Sequence, residues 1–329
     1  MAMQAFHHRL SWSEKVIGAA RFPLARLAGH PTLVNLEITR RCNATCDFCH
    51  YWTLRQESRL SDYVPVIRKL RPTVVMFTGG EPLLRHDLEG IIRRVRDAFP
   101  IIYLGLVTNG ALLTVDRGIA IWNSGLDQMS VSLDYLDGRH DRARGIPGLT
   151  RHILDTLPQL VSEGVDNLAL NTVIKSDNLD EIPGIVAWAA SHGVKVGLSC
   201  YTPVKNGNRC HLVTGEQSCR LHQLVDELLR MRRISGTIAS STYYLQQIPG
   251  YFENGGIGGC MSGRRFLTVG PGGEIHRCSE VPAECSWEKW RAGRFHATNC
   301  RACWVSCRGE SQAPVTWERI RQVAALYSA

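Results

Sequence analysis

Length, composition and charge restrict the function before any motif is considered. The chain has 329 residues, of which 44% are hydrophobic, and a net charge of +8 from 38 basic and 30 acidic residues. This length suits one barrel-sized domain with a smaller appendage, and no apolar run reaches the roughly 18 residues of a membrane span. The first ten residues lack the apolar stretch of a signal peptide, so we expect a cytoplasmic protein. The sequence contains no basic stripe interleaved with aromatic residues, the pattern typical of nucleic-acid-binding proteins.

The N-terminal segment, residues 1–32, is predicted to be a helical extension. Trp12, Val16, Ile17 and Ala20 share one face of the predicted helix. Packing of this face against the rest of the protein is favoured over docking on a membrane surface or a lipid substrate.

Residues 33–205 alternate β-branched apolar runs with amphipathic stretches, which is typical of βα units around a parallel sheet. The predicted strands are Leu33–Thr39, Thr73–Thr78, Ile102–Thr108, Gln128–Leu133, Asn167–Ile174 and Val194–Cys200. The predicted helices are Leu60–Leu70, Asp87–Ala98, Val115–Asn123, Leu149–Ser162 and Leu179–Ser191. Six strands are fewer than the eight of a complete barrel, and functional residues of such folds gather at the strands' C-terminal ends.

The rest of the chain divides into two predicted regions. Residues 206–255 are interpreted as a connector with one helix at Glu216–Ile234. Residues 256–329 form a predicted Cys-rich domain with a β-hairpin, because Leu267–Val269 and Glu274–His276 flank a turn rich in Gly and Pro. A last helix is predicted from about Pro314 to Leu326.

Three cysteines directly follow the first predicted strand. Cys42, Cys46 and Cys49 form Cys-x3-Cys-x2-Cys. Iron–sulfur clusters normally have four thiolate ligands, so a loop that supplies three leaves one iron open to a chelating ligand. Here the chain resembles the radical S-adenosylmethionine (radical SAM) enzymes, and Phe48 matches an aromatic residue that packs near the adenine in that family. A zinc knuckle or three core thiols is the alternative interpretation.

The resemblance continues at the end of the second predicted strand. Gly79-Gly80-Glu81-Pro82 stands there, and its glycines let the backbone approach a ligand closely. The radical SAM family binds the SAM amino group with this motif, which implies that Gly79, Gly80 and Glu81 contact SAM. A tight turn without a ligand is the alternative.

Polar residues follow the next strands. Asn109 comes after the third strand, and Ser130, Ser132 and Asp134 share one face of the fourth because side chains alternate along a strand. The resemblance implies that such positions contact the ribose and methionine parts of SAM. It also implies that Arg144 reaches the SAM carboxylate, which suits a guanidinium fork. For each residue, a turn, a satisfied polar side chain or a solvated arginine is the alternative.

A second group of cysteines lies near the C-terminus. Cys260 and Cys278 flank the predicted hairpin, and this part resembles the opening of the SPASM/twitch extensions of radical SAM enzymes. The resemblance implies one auxiliary [4Fe–4S] cluster, with Cys300 and Cys303 completing the ligand set. Cys307 either replaces one of them or remains nearby as a free thiol. A zinc ribbon is the alternative.

Four cysteines remain outside these groups. They are interpreted as core or surface thiols, although the one that ends the sixth strand is placed to face the active site. These cysteines are Cys200, Cys210, Cys219 and Cys285.

The resemblance implies an α/β fold, a partial (βα)6 TIM-like barrel with a small Cys-rich extension, and radical chemistry. SAM reduced at the open iron gives a 5′-deoxyadenosyl radical, which abstracts hydrogen from a carbon that the barrel orients. An auxiliary cluster would accept an electron, which favours net oxidation of a small biosynthetic intermediate by dehydrogenation, decarboxylation or bond formation. A reducing partner such as flavodoxin or ferredoxin is implied. No residue is assigned as acid, base or hydrogen donor.

Other functions stay open. A maturase of a ribosomally made peptide is disfavoured because residues 1–32 are too few for the leader-binding domain often fused to such enzymes. GTP cyclisation is disfavoured because Gly-Gly does not end this sequence. A non-enzymatic iron–sulfur electron carrier or sensor is disfavoured because it has no use for a SAM-binding turn.

Overall fold

The protein was analysed as a computed structural model that describes residues 12–54, 58–316 and 319–321. The first element is helix α1 (Trp12–Leu27). Val16 and Ile17 are 47% and 49% exposed, so the predicted packing of this face is wrong. The helix instead docks through Phe22, which is buried against Tyr103. The side chain of Trp12, also assigned to the predicted face, lies outside the described residues.

Six parallel strands follow, and all six predicted strands are confirmed to within one or two residues. They form one sheet with three later strands in the order β6-β5-β4-β3-β2-β1-β7-β8-β9 across the described chain. The parallel strands are β1 (Leu33–Thr39), β2 (Val74–Gly79), β3 (Tyr103–Thr108), β4 (Gln128–Ser132), β5 (Leu168–Ile174) and β6 (Lys195–Cys200). The α/β class and the partial barrel are therefore confirmed.

The helices between the strands cover one face of the sheet. They are α2 (Val64–Leu70), α3 (Leu88–Ala98), α4 (Val115–Trp122), α5 (Gly138–Arg144), α6 (Leu149–Ser162) and α7 (Ile182–Ser191). Helix α5 was not predicted, whereas the other five were. The apolar face of α3 is buried, with Leu88, Ile91, Ile92 and Val95 at most 1% exposed.

The two faces of β1 show where the core and the interior lie. Val34, Leu36 and Ile38 are fully buried in the hydrophobic core. Asn35 and Glu37 alternate with them and line an internal cavity instead. A polar interior and an apolar exterior under the helices are what a ligand-binding barrel requires.

Residues 206–255 pack beside β6. Helix α8 (Ser218–Ser235) contacts α7, α9 (Thr242–Gln246) and α10 (Ile248–Glu253). The predicted helix in this region is thus confirmed as α8.

The predicted hairpin is confirmed as β7 (Phe266–Val269) and β8 (Glu274–His276), followed by β9 (Cys285–Ser286). Strand β7 pairs in parallel with β1, so the hairpin extends the barrel sheet. Helix α11 (Ser306–Gln312) comes next. The predicted helix from Pro314 to Leu326 falls largely outside the described residues. Within the described part of the chain, no helix is both long and apolar enough to cross a membrane.

Candidate active site

The cysteine loop forms one wall of a cavity at the C-terminal ends of the strands. Cys42, Cys46 and Cys49 all line this cavity, which has a volume of about 440 Å³. The Nη1 of Arg144 lies 3.7 Å from the Cys46 sulfur, and the Ala44 amide donates to the Cys42 sulfur at 3.5 Å. Burial raises the pKa of the Cys42 thiol to about 11 and also raises the pKa of Cys46, while Arg144 opposes the latter shift.

The three thiols fit an iron–sulfur cluster by their number and place. They lie together on the wall of one cavity and supply three of the four thiolates that such a cluster normally has, which leaves one iron open towards the cavity.

The Gly79-Gly80 turn is packed directly on the cysteine loop. The amide of Gly80 donates to the Thr39 carbonyl, and the amide of Glu81 donates to the Arg41 carbonyl, both at 2.8 Å. Gly79 has φ +138°, and a Cβ there would overlap the Thr39 oxygen; a Cβ on Gly80 would overlap the Arg41 oxygen. The glycines are therefore required for the contact between two backbone segments, and both also line the cavity.

Glu81 holds two strand ends together. Its fully buried carboxylate accepts hydrogen bonds from the Thr108 hydroxyl at 2.6 Å, the Asn109 amide at 2.7 Å and the Leu83 amide at 2.9 Å. Burial raises the pKa of Glu81, and these hydrogen bonds oppose the shift. Asn109 lines the cavity and donates to the Asn43 side chain at 2.8 Å. Glu81 thus positions the site, with its oxygens facing protein donors.

Asp134 lies at the centre of a buried charged group. One oxygen accepts from the Val173 amide at 2.9 Å, and the other accepts from Arg144 at 2.8 Å and lies 3.7 Å from the Lys175 ammonium. Burial alone would raise the pKa of Asp134, but the cations Arg144 and Lys175 hold it below its usual value. His140 contributes no charge near neutral pH, because burial and Arg144 lower its pKa to about 4.

With Cys46 as a neutral thiol, this group carries one positive charge more than its single carboxylate balances. An uncompensated buried charge is costly, so an anion is expected nearby. The Arg144 Nε is buried without a hydrogen-bond partner among the described residues. Arg144 and Lys175 also lie 5.2 and 5.7 Å from the Phe48 ring. A ligand with a carboxylate and an aromatic part therefore fits here.

The two serines predicted to contact SAM occupy different environments. Ser132 lines the cavity, whereas Ser130 is buried outside the residues that line it. Phe48 and Arg144 also line the cavity, so most of the predicted SAM contacts are brought together.

Sequence reasoning missed several residues of the site. Lys175, which follows β5, was overlooked although strand ends were the region searched. Glu37 was overlooked although a carboxylate inside an apolar strand is unusual; it accepts a hydrogen bond from the Tyr51 hydroxyl. Lys205 lies 4.2 Å from the Tyr51 ring. Glu37, Tyr51 and Lys205 all line the cavity.

A second group of thiols lies beside the same cavity. Burial raises the pKa of Cys278 and of Cys307 to about 12, and that of Cys303 to about 11. Charge repulsion between pairs of Cys260, Cys278, Cys303 and Cys307 adds to these shifts, and Cys303 also raises the pKa of Cys200. Cys300 is exposed, whereas Cys303 and Cys307 are partly buried. Cys307 also lines the cavity.

Comparison with known families agrees with this geometry. The model of the radical SAM superfamily matches residues 36–189. Residues 36–189 form a radical SAM domain. Radical SAM domains use a [4Fe–4S] cluster and SAM, and the predicted radical SAM domain with a Cys-rich C-terminal region is confirmed.

Curated relatives of this chain have different names. The GTP 3′,8-cyclase of Streptomyces coelicolor is 33% identical over 174 residues, which cover 49% of this chain and 50% of the cyclase. The AdoMet-dependent heme synthase of Oleidesulfovibrio alaskensis is 23% identical over 303 residues, which cover 82% of this chain and 75% of the synthase. The match thus spans only half of the cyclase's length.

Solved structures share the fold over most of the chain. SuiB of Streptococcus suis bound to the precursor peptide SuiA has a TM-score of 0.63 at 15% identity and covers 88% of this chain and 71% of its own. The structure of anSMEcpe with bound AdoMet has a TM-score of 0.62 at 15% identity and covers 91% and 96%. At this identity the likeness is one of fold.

Proposed function

We propose that this protein is a radical SAM oxidoreductase that acts on a small biosynthetic intermediate. The observation that carries this proposal is the single cavity lined by the cysteine loop, the glycine turn, Arg144 and Cys307. When bound, the [4Fe–4S] cluster and SAM supply a 5′-deoxyadenosyl radical that abstracts a hydrogen atom from the substrate. The protein itself binds and orients the substrate and excludes water from the site.

The chain offers distinct groups for each part of SAM. Cys42, Cys46 and Cys49 would hold the cluster, and the cavity-lining backbone of the Gly79-Gly80 turn would receive the amino group. The surplus positive charge of Arg144 and Lys175 supports a carboxylate site next to Cys46. Phe48, which lies against both cations, would pack on the adenine.

The size of the cavity supports a small substrate. Its volume of about 440 Å³ lies within the range of small-molecule sites. SAM and the cluster would take part of this space, so the reacting part of the substrate must be compact. Asn35 and Asn171 project from β1 and β5 into the remaining space and offer amide hydrogen bonds. The fold shared with SuiB does not favour a peptide over a small molecule.

The second thiol group supports net oxidation. Cys260, Cys278, Cys303 and Cys307 would hold an auxiliary cluster, and Cys307 would place its edge at the cavity wall. An electron acceptor next to the substrate radical is what dehydrogenation or oxidative bond formation requires.

Formation of 5′-deoxyadenosine tests the proposal. Anaerobically reconstituted, reduced protein should convert SAM to 5′-deoxyadenosine, measured by mass spectrometry. Cys46→Ser should abolish this product, whereas Cys219→Ser, which changes an exposed thiol on α8, should not. Cluster-loaded protein that neither binds nor cleaves SAM would instead support an electron carrier or sensor.

A further inference from the structure

We propose that Asp47, Cys210 and His211 form a separate metal site at the barrel mouth, suited to Zn²⁺. Their ligand atoms all lie within 4.8 Å of one another. Among the described residues, this is the group of His, Cys, Asp and Glu side chains that meets this limit. It shares no residue with the two proposed iron–sulfur ligand sets.

Each ring nitrogen of the histidine has a carboxylate nearby. His211 Nε2 lies 2.7 Å from Asp47 Oδ2, and its Nδ1 lies 3.7 Å from Asp177 Oδ2 on the opposite side. The Tyr201 ring meets the imidazole edge-on at 5.3 Å. A carboxylate on the second nitrogen is the arrangement that commonly fixes the ring of a metal-bound histidine. The Asp177 carboxylate lies near the ring nitrogen that does not contact Asp47.

The donor types select the metal. One thiolate, one imidazole and one carboxylate are all common zinc ligands, whereas Mg²⁺ and Ca²⁺ take oxygen donors. The two anionic donors balance the charge of a divalent ion. Asp47 and Cys210 are exposed, so solvent reaches the site. Three protein ligands leave a fourth position for water or another small donor.

A metal here would join two loops that border the active site. Asp47 belongs to the cysteine loop, between Cys46 and Cys49, whereas Cys210 and His211 lie in the loop after β6. The side chains of Asn206 and Asn208 already donate to the Asp47 carbonyl at 2.6 and 3.3 Å. Zinc would reinforce this contact and hold the 201–214 loop against the cysteine loop.

Zinc binding to the full-length, cluster-loaded protein tests the site. X-ray absorption at the zinc edge is blind to iron, and we expect one sulfur at about 2.3 Å with the remaining ligands nitrogen or oxygen. In equilibrium dialysis, Cys210→Ser and His211→Ala should each weaken zinc binding at least about tenfold, because even residues that only hydrogen-bond to a metal ligand contribute about 10–100-fold to metal affinity. The matched control Cys219→Ser should bind zinc as the parent protein does.

Two results would overturn the site. Zinc surrounded by three or four sulfurs would place the ion in one of the cysteine clusters instead. Equal zinc affinity in the parent, Cys210→Ser and His211→Ala proteins would reduce the group to a His–Asp ion pair. Circular dichroism and iron content of each variant separate loss of the site from misfolding.

Discussion

At the scale of single residues, the two cations around Asp134 give this part of the site a net positive charge. Lys175 is 1% exposed and shares the Asp134 carboxylate with Arg144, yet it was not foreseen from the sequence. Its removal leaves one cation and one carboxylate, which balance. The charge of Lys175 therefore benefits ligand binding more than folding.

Lys175→Met separates these two effects. We expect SAM to bind at least about tenfold more weakly, because the remaining Arg144–Asp134 pair is neutral, as measured by calorimetry on reconstituted protein. The free energy of unfolding without SAM should stay the same or rise by about 1 kcal/mol, since an apolar group replaces a surplus buried charge. Lys289→Met, at an exposed position, is the control. A large loss of stability with unchanged SAM binding would make Lys175 a purely structural residue.

His140 should make stability depend on pH. Its Nδ1 accepts from the Asp134 amide at 3.2 Å, and burial together with Arg144 and Lys175 lowers its pKa from 6.5 to about 4, against the opposing effect of Asp134 and Asp141. Below pH 6.5 the unfolded chain binds a proton at this ring that the folded protein binds only near pH 4. Stability should therefore fall by about 3 kcal/mol as the pH drops through this range.

Urea unfolding of the cluster-free protein at several pH values measures this effect. His140→Asn keeps a side-chain acceptor near the Asp134 amide but cannot titrate, so its stability should change less between pH 7 and 5. His296→Asn, at an exposed histidine, should retain the full dependence. Identical pH profiles for His140→Asn and the parent protein would assign the effect to other groups.

At the scale of elements, most strands and helices could be predicted from the sequence, whereas contacts between distant segments could not. The six strands were predictable because each is a short apolar run followed by a turn. Helix α5 was not predictable, because Gly138–Arg144 is almost entirely polar. Its residues His140 and Arg144 are nevertheless buried, since they belong to the charged group around Asp134. The pairing of β7 with β1 joins residues more than 200 positions apart, and no local pattern specifies it.

The segment from Cys300 to Cys307 shows the same limit for the ligands. The family resemblance favoured the Cys300–Cys303 pair, but helix α11 starts at Ser306 and brings Cys307 to the cavity wall, while Cys300 is exposed. We therefore expect Cys307→Ser to lose the auxiliary cluster and lower the iron content from about eight to about four atoms per chain. Cys300→Ser, the matched control, should keep about eight. The reverse result would return Cys300 to the ligand set.

At the scale of the whole molecule, one continuous sheet connects the two cysteine sites. Strand β1 ends in the loop that carries Cys42, Cys46 and Cys49. In the sheet it lies between β2 and β7, and β7 begins the hairpin that leads to Cys278. The two proposed clusters are thus attached to adjacent strands of a single sheet. Order in the hairpin and order in the barrel should be coupled.

Loss of an auxiliary ligand should therefore loosen one edge of the barrel and leave the other unchanged. Metal binding and folding are coupled where a small segment supplies the ligands, so Cys278→Ala should release the hairpin and make β1 an edge strand. Hydrogen exchange, followed by mass spectrometry, should quicken in β7, in β8 and at β1 amides that face β7, such as Leu33, which donates to the Arg265 carbonyl at 3.1 Å. Strands β5 and β6, at the far edge, should exchange as in the parent protein. The control Cys300→Ser should show no change, and unaltered exchange in both variants would mean that the hairpin is held by β1 pairing alone.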